Sequence, residues 1–310
     1  MRDEGEHKAD SGAVEAGVRR CRDAEGIRIG FVGLGNMGIP MTARLAGAGH
    51  EVRGFDVDPA ARARSAVPTV ESLAEAAAGA DVVVIMLASS DVVRQVVLAD
   101  GLLDALEPGA LVVDMGSSDP AQTRELAAEA AARGIGYVDA PVSGAVVGAE
   151  AGTLTIMFGG TADELARCES FFAALGTKIV HAGPVGAGHA LKALNNLLSA
   201  TSFLITLEAV AAGERFGLDP KVMIDAINDS TGRSWSTEHK VPQFVEPRSF
   251  TSGFAMRLMV KDIQTARELA RATDSPFVLG DAAVALWEQA ADALPDDADH
   301  TEIALWLETA

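Results

Sequence analysis

From Ile27 onward, short apolar runs alternate with stretches whose apolar residues recur every three or four positions. IRIGFVG is the first apolar run, and MTARLAGAGH after it has helical spacing. EVRGFDVDP predicts a second strand ending in acids, ESLAEAAAGA a helix and DVVVIMLA a buried strand. ALVVDMGSS is a further strand, PAQTRELAAEAAARG a helix and IGYVDAPVSG another strand. TLTIMFGG and TKIVHAG predict two more, flanking a helix over ADELARCESFFAAL. Strands alternating with helices predict an α/β doubly wound, parallel sheet with helices on both faces. VVVIML and LVVDM are almost wholly apolar, as strands covered on both sides must be. After Gly183 the pattern changes. From about Ala187 to Phe216 there is no strand signal and no proline, which predicts one long helix apolar over most of its circumference. The rest predicts helices broken at GLDP, TGRSW, VEPRSFTSGF, TDSP and LPDDAD, an all-α C-terminal domain.

Composition narrows the classes. A chain of 310 residues with 48% hydrophobic content supports one or two domains with a sizeable core, carried by aliphatics because aromatics are only 5%. A formal net charge of −19 gives no average attraction to nucleic acid or to an anionic membrane. Any acidic ligand must therefore meet locally placed cations. No apolar run is read as approaching the roughly 20 residues of a membrane span. Residues 1–26 mix both charge signs without an apolar core, so they are read as a mobile N-terminal extension rather than a signal peptide. Cys21 and Cys168 have neither metal-site nor disulfide-framework spacing, and two reduced thiols suit a cytoplasmic location. No metal site is expected.

GFVGLGNMG, Gly30 to Gly38, carries the first chemistry. A G-x-G-x-x-G pattern means little alone; it gains weight from a strand before it, a helix after it and an acid about 20 residues on. Here Ile27–Val32 is the strand, Gly33, Gly35 and Gly38 are the glycines, and Asp56 ends the next strand. Gly33 permits the tight turn, Gly35 lets backbone approach a pyrophosphate, and Gly38 allows close helix packing. The helix start then offers free N–H groups to phosphate. Leu34, Asn36 and Met37 complete the loop. A carboxylate at Asp56 accepts bonds from ribose hydroxyls and repels a 2′-phosphate, which predicts NAD over NADP. Residues 27–186 are accordingly read as a Rossmann-type NAD-binding domain, and 187–310 as an all-α substrate and oligomerisation domain reached through the long interdomain helix.

Three further clusters stand out. DAPVSGA, Asp139 to Ala145, sits at the C-terminal end of a predicted strand, where open α/β sheets bind ligands; by itself it also reads as an ordinary Pro-Gly loop. In GPVGAGHALKALNN, Lys192 and Asn196 are four apart and share a helix face, with Ser199 near it. A solvated lysine is the usual case. The surrounding apolar residues argue instead for a lysine with a partner. GFAMRLMVKDI contains Lys261 and Asp262, and Lys261 alone would pass for a surface residue.

Together and in this order, the four clusters resemble the β-hydroxyacid dehydrogenase family, whose members include 3-hydroxyisobutyrate dehydrogenase, tartronate semialdehyde reductase and 6-phosphogluconate dehydrogenase. The resemblance runs from Ile27 to near the C-terminus. It implies that GLGNMG is the dinucleotide loop and that Leu87 and Ser117, in the MLA and VDMGSS segments, lie near the cofactor. It implies that Ser143 and Gly144 hold a substrate carboxylate, that Lys192 is the catalytic lysine and that Asn196 helps hold the substrate. Lys261 is implied to lie near the cofactor and close the cleft. Trp235 is read either as a wall of the substrate pocket or as a core residue. Ala145, Ala88 and Gly116 depart from the family's usual Gly, Pro and Ser.

The resulting expectation is an oxidoreductase moving a hydride between NAD and a small 3-hydroxy acid of the 3-hydroxyisobutyrate kind, with Lys192 as general acid/base and a homodimer or homotetramer as the assembly. The alternative is an NAD(P)H-dependent reductase of a small semialdehyde acid such as tartronate or succinate semialdehyde. An imine reductase and a non-catalytic binding module are disfavoured, because imine reductases of this fold often lack the lysine and the non-catalytic relatives lose it, whereas Lys192 is present. His300 and the acids Asp292, Asp296, Asp297 and Asp299 are read as solvated surface.

Overall fold

A computed structural model of the chain describes residues 26–309. Cys21 and the expected extension, Gly26 apart, lie outside the described residues.

The first half builds one sheet. β1 (Arg28–Val32), β2 (Glu51–Phe55), β3 (Val82–Ile85), β4 (Leu111–Asp114) and β5 (Gly136–Asp139) are followed by β6 (Val142–Ser143), β7 (Leu154–Gly159) and β8 (Gly176–Gly183). The order is β2-β1-β3-β4-β5-β7-β6, with β8 also on β7. Between the strands lie α1 (Gly38–Gly47), α2 (Pro59–Arg64), α3 (Leu73–Ala77), α4 (Ser90–Arg94), α5 (Leu102–Ala105), α6 (Pro120–Ala131), α7 (Ala145–Ala151) and α8 (Ala162–Leu175).

The first five strands pair in parallel, as expected, but β7 meets β5 and β6 antiparallel. The reason is local. The chain passes from β5 almost directly into β6 and turns back through the seven-residue α7, so β7 returns beside the strand it has just left. β8 then resumes the parallel sense against β7.

Alternation within the strands feeds two cores. Ile29 and Phe31, Val82 and Val84, and Leu111 and Val113 enter one with Met41, Phe171 and Phe172. Val32, Val83, Ile85 and Val112 enter the other with Val97, Leu102 and Leu126. Burial on both faces explains why VVVI and LVVD contain no polar residue until the strand-end Asp114.

α9 (Ala187–Phe216) spans 30 residues and starts on Gly186 in the left-handed region. α10 (Pro220–Asn228), a π-helical stretch (Ser236–Val245), α11 (Met256–Ala272), α12 (Val278–Ala293) and α13 (Ile303–Leu307) follow. Their core gathers Phe203, Met256, Ile263 and Trp287.

Two expectations about α9 need correction. It is long and apolar enough to cross a membrane, where the sequence reading found no such run. It is also less buried than expected, since Leu191, Leu194, Leu198 and Ile205 are exposed, Leu198 by 72%. Its beginning packs on β7 and α6, and its other contacts include α11 and the π-helical stretch.

His300 also departs from expectation. It is buried, its Nδ1 lies 2.9 Å from Ser252 Oγ, and its ring stacks near Trp287. Asp299 is not free surface either. It caps the short turn His300–Glu302 and accepts from Ser252, Gly253 and Thr301. Against the upward push of burial, bonds from His300, Thr301 and Ser252 hold its carboxyl below the usual carboxylate range.

Candidate active site

The dinucleotide loop lies where the sheet changes direction, between β1 and its neighbours β2 and β3. A Cβ at Gly38 would collide with the Gly33 carbonyl, so this glycine is required by packing; a Cβ at Gly35 would meet nothing within 4 Å. Gly35 and Asn36 are exposed, and α1 begins without any side-chain cap. Open space before uncapped N–H groups fits a pyrophosphate. The Asp56 carboxylate is held at the end of β2 beside the loop: Oδ2 accepts from Leu34 N at 2.7 Å and Oδ1 from Asp58 N at 2.9 Å. Arg62, the cation beside it, is already committed to the Asp56 carbonyl at 2.6 Å and to Glu71 at 2.8 Å.

The second half of the site comes from α9 and α11. Lys192 is half-buried, and Asn196, one turn further along, is buried. Asn196 Nδ2 donates to Asp262 Oδ2 at 2.6 Å. Asp262 Oδ1 is 2.9 Å from Lys261 Nζ. Lys261 in turn donates to the Ser117 carbonyl on the segment after β4. Contacts thus join Asn196, Asp262, Lys261 and Ser117 in one chain linking the helical part to the sheet. Asp262 was the residue missed as a candidate, although the KD pair offered it; nothing in the spacing says that it meets Asn196, 66 positions away.

Lys192 makes no hydrogen bond among the described residues. Burial pulls its pKa below the ordinary 10.5, Asp262 opposes that fall and Lys261 adds to it. A desolvated amine of this kind loses its proton more readily than a surface lysine does.

The remaining candidates fall into place differently. Ser143 pairs with Thr155 in the β6–β7 ladder, and Gly144 opens α7 at φ 136. Ala145 has a φ of 53, the left-handed conformation for which glycine is suited. Trp235 is 65% exposed with its ring centroid 3.8 Å from that of His239, so the core reading of this tryptophan fails; Trp287 is the core tryptophan. No hydrogen bond links Trp235 or Ser143 to Lys192 among the described residues. A groove of about 390 Å³ along α10 is lined by Leu218, Val222, Met223 and Ile227 and by none of the candidates. Its carboxylate, Asp219, is spent capping α10. No group of three or more His, Cys, Asp or Glu suited to a metal occurs among the described residues.

A dinucleotide loop at a sheet's change of direction, joined to a helical half carrying a desolvated lysine, defines an NAD-dependent oxidoreductase. The comparisons agree. Residues 28–183 match the NAD binding domain of 6-phosphogluconate dehydrogenase, and residues 186–307 match the NAD-binding domain of NADP-dependent 3-hydroxyisobutyrate dehydrogenase. The mitochondrial 3-hydroxyisobutyrate dehydrogenase of Homo sapiens is 38% identical over 262 residues, covering 81% of this chain and 78% of the relative. The NAD-dependent L-serine dehydrogenase of Pseudomonas aeruginosa is 39% identical over 270 residues, covering 84% and 91%. The structure of Mycobacterium tuberculosis 3-hydroxyisobutyrate dehydrogenase with L-serine superimposes with a TM-score of 0.85 at 37% identity, covering 91% and 99%. The chain belongs to the β-hydroxyacid dehydrogenase family and is an NAD-dependent dehydrogenase acting on CH–OH groups.

Proposed function

We propose that this enzyme oxidises a small 3-hydroxy acid of the 3-hydroxyisobutyrate or serine kind with NAD, and that Lys192 is its general base. The observation that carries the reading is the state of Lys192: half-buried, without a hydrogen-bond partner among the described residues, and held below the ordinary lysine pKa. Relatives acting on 3-hydroxyisobutyrate and L-serine support the substrate class.

NAD would lie along the Gly33–Gly38 loop, with Asp56 at its ribose and Leu87 and Ser117 toward its nicotinamide, and when bound it supplies the hydride acceptor. The chain's own residues do the rest. Neutral Lys192 takes the hydroxyl proton as the substrate's C–H bond breaks, leaving a carbonyl and a protonated lysine. Asn196, locked by Asp262, orients the hydroxyl or one carboxylate oxygen. Ser143 and the Gly144 backbone hold the carboxylate, and Trp235 borders the pocket. Lys261, joined by Lys192 once it has taken the proton, supplies the local positive charge that an anionic substrate needs in a protein of net charge −19. The exposed stripe of Leu191, Leu194, Leu198 and Ile205 supports a second copy packing on α9.

The test follows NADH and NADPH formation over 3-hydroxyisobutyrate, serine, threonate, glycerate and 4-hydroxybutyrate, with Lys192→Ala alongside. NAD-linked turnover that falls by about 10³-fold in the variant, with NADH binding intact, is the expected outcome. Turnover surviving Lys192→Ala would remove the lysine from this role.

A further inference from the structure

The start of α9 poses a problem of its own. Its first residues follow Gly186, which has no side chain to cap the helix, yet the helix must present Lys192 and Asn196 to a substrate held by other elements. The missing cap comes from the sheet. Asp139, fully buried at the C-terminal end of β5, accepts from Gly186 N at 2.6 Å through Oδ1 and from His189 N at 2.7 Å through Oδ2. These are the N–H donors of the N-cap and of the third helical residue, in the first turn, which a helix leaves unsatisfied.

The seat is cut closely around this carboxylate. A Cβ on Gly188 would stand 2.9 Å from Asp139 Oδ2 and collide with the Met157 carbonyl, and a Cβ on Gly159, which faces Asp139 across β5 and β7, would collide with the carboxylate itself. His189 lies against it, Nδ1 3.8 Å from Asp139 Oδ2 and 2.8 Å from Thr123 Oγ1 on α6. The neighbouring strand-end carboxylate, Asp114, sits beside Asp139 in register, 3.9 Å from His189 Nε2, and binds Gly116 N and Ser118 Oγ. Tyr137 OH reaches Asp114 at 3.4 Å.

We propose that Asp139 is a positioning residue for the reaction: by capping α9 from the end of β5, it fixes Lys192 and Asn196 relative to the Ser143–Gly144 loop four residues further along the chain. A helix anchored only by apolar packing could slide or rotate by a fraction of a residue. Two charge-assisted bonds at its first turn fix both rotation and translation. Lys192 lies three residues beyond His189, so an error at the cap is carried almost undiminished to the amine. The inference rests on the reading of Lys192 as the base.

The test uses Asp139→Asn and Asp139→Ala in the full chain, with three readouts. Asn keeps one acceptor oxygen and loses the second bond, so kcat falls by about 10²-fold, as expected for a base misplaced by about 1 Å, and further in the Ala variant. KM for NAD stays as it is, because Asp139 does not touch the Gly33–Gly38 loop. Amide exchange mapped by mass spectrometry accelerates at least tenfold at the beginning of α9 and stays unchanged over β1 to β4. The pH dependence of Lys192 acylation, which needs no substrate, moves up toward that of an ordinary lysine as the displaced amine gains solvent. Unchanged exchange at the start of α9, unchanged kcat, or a loss of protection spread over the whole sheet would each overturn the proposal. If no hydroxy acid is turned over by the unaltered enzyme, the substrate assignment fails, while exchange and Lys192 acylation still decide whether Asp139 holds the helix.

Discussion

Asn196 of α9 donates from Nδ2 to Asp262 Oδ2 of α11 at 2.6 Å, and both residues are buried. The bond fixes the amide's orientation, because a carboxylate accepts and never donates when ionised. Asp262 also opposes the fall of the Lys192 pKa. Asp262→Asn should therefore act twice. It loosens Asn196, lowering kcat/KM by about 10- to 100-fold, the cost of a lost bond to a charged group. It also lets the Lys192 pKa fall further, so the rising, acid-side limb of the kcat/KM profile for oxidation moves to lower pH. A profile that moves to higher pH would contradict this linkage.

Oxidation needs neutral Lys192 and reduction needs its protonated form. Since burial, helped by Lys261, lowers its pKa, the oxidation rate should rise with pH and level off below pH 10.5, while the reduction rate falls over the same range. Lys192→Arg should erase this limb, because a guanidinium does not lose its proton in a protein. Initial rates in both directions across pH 6 to 10 check it.

On the proposed reading Asp56 meets the adenosine ribose; its carboxylate accepts from Leu34 N, and the cation next to it, Arg62, is engaged by Glu71. Asp56→Ser should raise KM for NAD about tenfold and make NADP usable. Adding Glu71→Gln should improve NADP use further by freeing Arg62 for the 2′-phosphate. The ratio of kcat/KM for the two cofactors is the measurement, and a ratio unchanged in Asp56→Ser would show that this carboxylate does not discriminate.

Ala145 occupies the left-handed region at φ 53, a conformation that costs a non-glycine residue roughly 1 kcal/mol. Ala145→Gly should recover part of this, less the extra chain entropy of glycine, for a net gain of about 0.5 kcal/mol. Urea unfolding checks the sign.

Lys240 is buried on the π-helical stretch, donates to Ser199 Oγ at 2.9 Å and lies 4.9 Å over the Phe203 ring. Burial pulls its pKa down to about 8 against the opposing pull of Asp299, while the unfolded chain keeps the ordinary 10.5. Between those values the unfolded state binds more protons, so stability rises with pH there; below about 8 the cost of the buried ammonium is felt in full. Relative to Lys240→Met, the unaltered protein should gain on the order of 2 kcal/mol between pH 7.5 and 10. Urea midpoints of both proteins at the two pH values test it, and parallel pH dependences would sink the assignment.

Much was determined by sequence alone. Strand and helix periodicities are local, so the α/β half, the 30-residue α9 and the helical half could be read directly. The G-x-G-x-x-G loop and Asp56 were legible because their geometry is set within one strand-turn-helix unit. Lys192 and Asn196 were legible because four residues make one helical turn. Tertiary structure alone decided the rest. The antiparallel return of β7 depends on how the chain leaves β5. Asp262 on Asn196, Lys261 on Ser117 and Asp139 on the first turn of α9 join positions 66, 144 and 47 or 50 residues apart. His300 looked like a solvated residue among acids and is a buried ring beside Trp287. A polar side chain's role is set by which partner reaches it once water is gone, and that partner is chosen by the packing of whole elements, which no local pattern records.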